Sequence, residues 1–242
     1  MHDDRRMYGD LSWTWPIISP PENYGEEANQ FSSAIEACSK IPVKSLLNIG
    51  CGGGHIDFHL KNQYKITGMD ISPEMLENAI KLNPEARYLK GDMRSVRLGE
   101  KFDSVIIADS ITYMLSEDEL SAAFRTAFEH LKPGGVFCTY AEELREKFTR
   151  TTFTHDARTA GDMDIILIEH KWDPDLDDST IEFHFIFLIQ EGGKLRVESD
   201  KHTCGLFPLK TWKRLLKKTG FSVRISEGQS GETLFTCLKP VG

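Results

Sequence analysis

Residues 46–54 read Leu-Leu-Asn-Ile-Gly-Cys-Gly-Gly-Gly, and twenty positions after Gly50 comes Asp70, in Gly-Met-Asp-Ile-Ser. An apolar strand runs into a glycine loop, a helix follows, and a second strand ends in a carboxylate. An α/β sheet holds an adenosine-containing cofactor in this way. The glycines let the backbone approach the ligand, and the carboxylate accepts hydrogen bonds from ribose hydroxyls.

The spacing narrows the cofactor. A dinucleotide fingerprint is G-x-G-x-x-G with the pyrophosphate at the helix N-terminus. Here the third position holds His55, and the glycines fall at Gly50, Gly52 and Gly54. No G-x-x-x-x-G-K-[ST] segment occurs, so a Walker-type phosphate cradle has no support. A tight turn alone could use these glycines, but further signals follow in order. Gly91-Asp92-Met93 comes after a strand-like run at 86–90, then Phe102 to Asp109, then Leu131-Lys-Pro-Gly-Gly-Val-Phe137. In this order and spacing, residues 43–141 resemble the class I S-adenosylmethionine-dependent methyltransferases.

The resemblance implies a role for each matching position. Gly50, Gly52 and Gly54, with the small neutral Cys51 between them, would line the methionine and ribose side. Asp70 would bind the ribose hydroxyls. Asp92 would face the adenine amino group, with Ile71 and Met93 on the ring faces. Ala108 and Asp109 would lie beneath the transferred methyl. Asn48 stands where that family usually carries Asp or Glu. An amide donates and accepts hydrogen bonds but brings no negative charge toward an ammonium or sulfonium.

With 242 residues, one domain with an elaboration is expected. A formal net charge of -8 without a basic run disfavours nucleic acid as a partner. The cluster Lys210–Lys218 follows an amphipathic helical pattern and reads as a solvated face. No run of about eighteen apolar residues marks a membrane span, and the opening Met-His-Asp-Asp-Arg-Arg has no apolar signal core. A cytoplasmic location follows as the expectation. The five cysteines are scattered with no C-x-x-C, and no metal-ligand spacing stands out, so no metal is expected.

Four segments are expected. Residues 1–40 form an arm and helix; Tyr8, Trp13, Trp15 and Tyr24 surround Pro16, Pro20 and Pro21, which prevent a long helix. These aromatics would make a lid, or simply an arm packed on the domain. Residues 41–141 alternate strand and helix, which implies a Rossmann-like, doubly wound α/β sheet with its ligand at the carboxyl ends of the strands. Residues 142–207 break the rhythm. Runs at 163–170, 179–190 and 194–204 read as a three-stranded antiparallel insertion, with Ile181, Phe183, Phe185, Phe187 and Ile189 at a period of two. Residues 208–242 supply a helix and a strand pair that complete a seven-stranded sheet.

Two stretches are closer still to one group. Pro84 to Phe102, and the tail His202-Thr-Cys-Gly-Leu-Phe-Pro-Leu with Glu227-Gly-Gln-Ser-Gly-Glu-Thr-Leu-Phe, are similar to bacterial sugar N,N-dimethyltransferases acting on nucleotide-linked amino sugars. The resemblance implies an antiparallel platform used for substrate and for homodimer contacts, and it puts Tyr113 near the substrate amine. The Trp/Pro-rich N-terminus departs from that group. Tyr113 is therefore the candidate for orienting the acceptor, a core aromatic being the alternative.

An activated sulfonium methyl needs mainly alignment with a lone pair. A neutral amine requires no strong base, whereas a hydroxyl would need a His or carboxylate within reach. His155, His170, His184 and His202 are the base candidates, with His184 and His202 able to face one pocket. Asp156, Asp162 and Asp164 read as a solvated loop. The leading expectation is N-methylation of a small molecule. The alternatives are O-methylation of a small metabolite, and a non-catalytic scaffold motivated by Asn48.

Overall fold

The computed structural model describes residues 5–149 and 151–241. Residues 1–4 of the expected arm, residue 150 of the expected insertion and residue 242 lie outside them. Three prolines near the start limit the chain to short turns and one single-turn helix, α1 (Trp15–Ile18). Next comes α2 (Gly25–Cys38), which buries Ala28, Phe31 and Ile35. The core then alternates: β1 (Ser45–Ile49), α3 (His55–Leu60), β2 (Lys65–Asp70), α4 (Pro73–Leu82), β3 (Arg87–Lys90), β4 (Phe102–Ile107), α5 (Glu117–His130) and β5 (Leu131–Ala141). Ser72 caps α4 by accepting from the Met75 N–H at 3.0 Å, with Pro73 at the first helical position. Ser116 caps α5 in the same way, ahead of three acidic residues that suit the positive end of the helix dipole.

After four strands described below, α6 (Leu209–Thr219), β10 (Ser222–Glu227) and β11 (Thr233–Leu238) close the fold. The seven-stranded sheet runs β10-β11-β5-β4-β1-β2-β3. Strands β1 to β5 are parallel in their pairings, and β11 is antiparallel to both its neighbours. Strand order reverses between β1 and β4, so the loops at their carboxyl ends diverge and leave a crevice there. Phe124 and Phe137 on one face of the sheet, and Phe31 and Tyr140 on the other, fill the two core layers. The basic residues of α6 are exposed, while Trp212, Leu215 and Leu216 point into the core.

The second sheet is a meander of four strands rather than three: β6 (Thr151–Ala160), β7 (Met163–Trp172), β8 (Thr180–Glu191) and β9 (Lys194–Gly205). The extra strand, β6, is almost entirely exposed and has only one large apolar residue, Phe153. An edge strand with no buried face carries no period-two signal, so sequence patterning reads it as loop. Asp156 and Asp164 are accordingly strand residues, solvated as expected. On β8, Ile181, Phe183, Phe185, Phe187 and Ile189 are buried. They pack with Met7, Leu11 and Ile18 of the N-terminal segment. At about 1.5–3 kcal/mol for each buried side chain, those three contacts hold the segment between the second sheet and the crevice.

Candidate functional site

The Gly50 and Cys51 N–H groups both donate to the Met69 carbonyl, at 2.6 and 2.9 Å, which folds the glycine loop across the end of β2. There Asp70 is fixed by two backbone donors. Gly52 N–H reaches Oδ2 at 2.8 Å and Ser72 N–H reaches Oδ1 at 2.9 Å. Gly50 has φ of +70°, and a Cβ on it would lie 2.1 Å from Ser110 Oγ. Only glycine meets both conditions. The result is a cavity of about 450 Å³ at the β1/β4 switch point.

The cavity brings together nearly all the residues picked from the sequence. Asn48, Gly50, Cys51, Gly52, Asp70, Ile71, Asp92, Met93, Ala108, Asp109 and Tyr113 line it. Gly54 does not. Its carbonyl accepts from Asn83 Nδ2 at 2.9 Å, and a Cβ would meet Asn83 and Tyr88 within 2.8 Å. Its φ of +75° starts α3 and keeps the helix close to α4 and β3.

Electrostatics divide the cavity. Asp92 is gripped by Arg94 through Nε and Nη2, at 2.9 and 2.6 Å, and Arg94 also reaches Glu119. The Arg94 bonds hold Asp92 below the ordinary carboxylate range. Asp109 behaves oppositely. Its side chain is exposed on the cavity wall, yet desolvation by the surrounding protein, then Glu142 and Asp70 nearby, push it up to about 6. Glu27, which accepts from Tyr140 Oη at 3.0 Å, is pushed to about 8 by burial and then by Asp109.

Below the loop lies a buried polar pair that sequence spacing does not reveal. Asn48 Nδ2 donates to Asp57 Oδ1 at 2.8 Å, and Tyr88 Oη donates to Asp57 Oδ2 at 3.0 Å. Asn48 Oδ1 is buried without a partner among the described residues.

Tyr113 belongs to a hydrogen-bonded chain. Its Oη lies 2.8 Å from Tyr8 Oη and 2.8 Å from His202 Nδ1. His202 Nε2 lies 2.7 Å from Asp200 Oδ2, which also accepts from the Met7 N–H at 2.7 Å. Burial would raise Asp200, but these two donors outweigh it and lower it. A carboxylate only accepts, so His202 Nε2 carries the hydrogen. With the ring neutral, Nδ1 accepts from Tyr113, and Tyr113 in turn accepts from Tyr8. Burial keeps both phenols far above their ordinary pKa. Arg5 sits 3.6 Å from the Tyr113 ring centroid.

Of the four histidine candidates, His202 alone lines the cavity. It pairs with the inward Phe183, whereas His184 pairs with His170 on the opposite face of the sheet. His184 and His202 therefore share no pocket. Among the N-terminal aromatics, Tyr8, Trp15 and Tyr24 are on the cavity wall, while Trp13 turns outward near Arg196. Asp200 and His55 are residues that sequence reasoning missed, and Tyr8 was expected only as one aromatic of a lid or packed arm. His55 is buried, stacks on Trp15 at 6.2 Å and is pushed down to about 4 by burial.

The donor set fits S-adenosylmethionine. A glycine-rich loop, a carboxylate preset by two amides and a buried acceptor with no partner among the described residues match an adenosine joined to an amino acid. Comparison with known proteins agrees. A family profile described as a methyltransferase domain matches residues 46–135. The dTDP-3-amino-3,4,6-trideoxy-alpha-D-glucopyranose N,N-dimethyltransferase of Streptomyces venezuelae is 30% identical over 218 residues, covering 88% of this chain and 90% of its own. The crystal structure of Streptomyces venezuelae DesVI superposes with a TM-score of 0.84 at 27% identity, covering 96% of each chain. CalS10 of Micromonospora echinaspora, an amino pentose methyltransferase solved with S-adenosylmethionine bound, shares the fold at a TM-score of 0.80 and 22% identity, over 89% of this chain and 91% of that one. This chain therefore belongs to the S-adenosylmethionine-dependent methyltransferases, in the group that includes the nucleotide-sugar N,N-dimethyltransferases.

Proposed function

We propose that this enzyme methylates the amino group of a nucleotide-linked amino sugar. The observation that carries this is the end-to-end match to the Streptomyces venezuelae dimethyltransferase, which spans the second sheet as well as the cofactor core. Arg5 on the cavity lining supplies a cationic group suited to a diphosphate.

Asp70 holds the ribose hydroxyls, Asp92 the adenine edge, and Ile71 and Met93 the ring faces. Bound there, S-adenosylmethionine would supply an electrophilic methyl for an acceptor lone pair. Tyr113 and Tyr8 orient the acceptor. Their oxygens accept N–H bonds, because the chain of donation runs from Tyr8 through Tyr113 to His202. The amine proton leaves along that chain to His202, and Asp200 stabilises the resulting imidazolium. Trp15 and Tyr24 cover the cofactor as part of a lid.

The enzyme works as a homodimer through the outer face of the second sheet. Phe153 is 63% exposed there beside Ile186, Ile168 and Trp172. Phe153→Glu is expected to convert a dimer to a monomer in light scattering, and a monomeric wild type would overturn this assembly.

The function is tested by mass spectrometry after incubation with S-adenosylmethionine and matched dTDP-amino and dTDP-hydroxy deoxysugars. Addition of one and then two methyl groups to the amino sugars alone is expected. Methylation only at hydroxyls would overturn the nitrogen assignment. No transfer to any sugar nucleotide, by protein that binds S-adenosylhomocysteine, would overturn the substrate class.

A further inference from the structure

We propose that Asn48 and Asp57 act together as a divided carboxylate, in which Asp57 supplies the charge and Asn48 Oδ1 supplies the contact for the α-ammonium of the cofactor's amino-acid end. The proposal rests on the cofactor reading above and concerns how this chain compensates for lacking an acid at position 48.

The geometry leaves Asn48 little freedom. It is 1% exposed, the penultimate residue of β1 before the glycine loop, and lines the cavity. Asp57, at 0% exposure, sits on α3 nine residues later. A carboxylate accepts and never donates, so the 2.8 Å bond to Asp57 Oδ1 requires the amide nitrogen on that side. The amide oxygen is thereby turned away from Asp57, and it has no partner among the described residues. An unsatisfied buried acceptor costs about 1–3 kcal/mol, so its persistence calls for a donor from the ligand. The adenosine and thioether parts of the cofactor are served by Asp70, Asp92 and the apolar faces. Its remaining donor is the ammonium.

Charge reaches that ammonium through the pair. Asp57 is pushed up to about 6 by burial, with the Asn48 and Tyr88 bonds pulling the other way, so the group is ionised above neutrality. Burial first, and then the same charge, raises the neighbouring Tyr88 and Cys51. A hydrogen bond whose donor is polarised by a buried anion strengthens the acceptor at its other end. The amide is neutral where it touches the ligand, and the negative charge stands one hydrogen bond behind it.

The test is calorimetric titration with two probes. S-adenosylhomocysteine carries the ammonium; 5′-methylthioadenosine keeps the adenosine and thioether but lacks the amino-acid end. Asp57→Asn is isosteric and removes the charge; its amide oxygen still accepts from Asn48 Nδ2, while its amide nitrogen faces Tyr88 Oη, which then turns from donor to acceptor. It is expected to weaken S-adenosylhomocysteine on the order of tenfold and to leave 5′-methylthioadenosine unchanged. Asn48→Leu keeps the branching and the number of heavy atoms and removes the contact, and should show the same selectivity. In Asn48→Asp/Asp57→Asn the roles are exchanged, with an acid at 48 accepting from an amide at 57. That variant should recover S-adenosylhomocysteine to within about threefold of wild type. Equal weakening of both probes by Asp57→Asn would show a merely structural pair and overturn the proposal. So would unchanged binding of both, or no recovery in the folded double variant. Failure of the wild type to bind either probe would instead overturn the cofactor reading.

Discussion

Gly50→Ala isolates what the cofactor loop demands of the chain. Two costs add. At φ of +70° an alanine pays for the left-handed backbone, about 1–2 kcal/mol. Its Cβ would also lie 2.1 Å from Ser110 Oγ and 2.6 Å from Ser110 Cβ. Rotating the serine hydroxyl relieves only the first contact, so the backbone after β4 must shift, at about 1–3 kcal/mol for overpacking. The sum is about 2–5 kcal/mol. At about 2–4 °C for each kcal/mol in a domain of this size, the melting temperature should fall by roughly 4–20 °C. Ser110 follows Asp109 on the cavity wall, so S-adenosylhomocysteine binding should weaken as well. Adding Ser110→Gly removes the clash but not the strained φ, and about half the loss should return. The assay is thermal unfolding with calorimetric titration on both variants and the Ser110→Gly control. A melting temperature within about 2 °C of wild type, or no recovery on adding Ser110→Gly, would refute this account of the loop.

Three further outcomes are expected. Asp70→Ala removes the acceptor for the Gly52 and Ser72 N–H groups and the expected ribose anchor, so S-adenosylhomocysteine affinity should drop about 100-fold or more, two charge-assisted bonds at about 1.5–3 kcal/mol each; a loss under about fivefold by calorimetry would count against the assignment. Asp200→Asn no longer fixes the hydrogen on His202 Nε2. Turnover with the amine acceptor should fall on the order of tenfold, with an altered pH profile and unchanged S-adenosylhomocysteine affinity; equal loss of both would mean a structural role. Glu27 at about 8, and Asp57 and Asp109 at about 6, all lie above ordinary carboxylates. A raised pKa in the folded state favours the protonated form, so their contribution is full below about pH 4 and is lost as pH rises through 6 to 8. The ligand-free protein should melt several degrees higher at pH 5.5 than at pH 8.5 on the order-of-magnitude scaling above; the reverse ordering by calorimetry would overturn the burial argument.

The parts of this fold legible in the sequence are those fixed by neighbours along the chain. The glycine spacing and Asp70 are set by one strand-loop-helix-strand unit, whose handedness admits a single packing. Ser72-Pro73 announces α4 because cap and first turn are adjacent. Strand β8 shows itself because one face is buried and the other is not. Strand β6 is invisible because neither face is. The Tyr113 chain was half legible. Asp200 and His202, two apart on a strand, must share a face, but which face meets the cavity is decided by Met7, Leu11 and Ile18 packing against β8 from nearly two hundred residues away. Asn48 and Asp57 are close in sequence, yet their contact depends on how α3 turns back beneath β1.

Ser72 shows how the two halves of the cavity are tied. Its N–H fixes Asp70, its hydroxyl caps α4, and the same hydroxyl donates to the Tyr8 carbonyl at 2.6 Å. One residue thus touches the carboxylate on the cofactor side and the backbone of the tyrosine on the acceptor side. Tyr8 is also held by Tyr113, and its neighbour Met7 donates to Asp200. The N-terminal segment is pinned through Tyr8 to the loop after Asp70 and through Met7 to the His202–Asp200 pair. A methyl transfer succeeds only when donor carbon and acceptor lone pair are held in line, and a misplacement of about 1 Å is costly. Linking both walls of the cavity through one short segment is a direct physical way to keep that alignment, and it makes the aromatic N-terminus part of the catalytic frame rather than an appendage to the sheet.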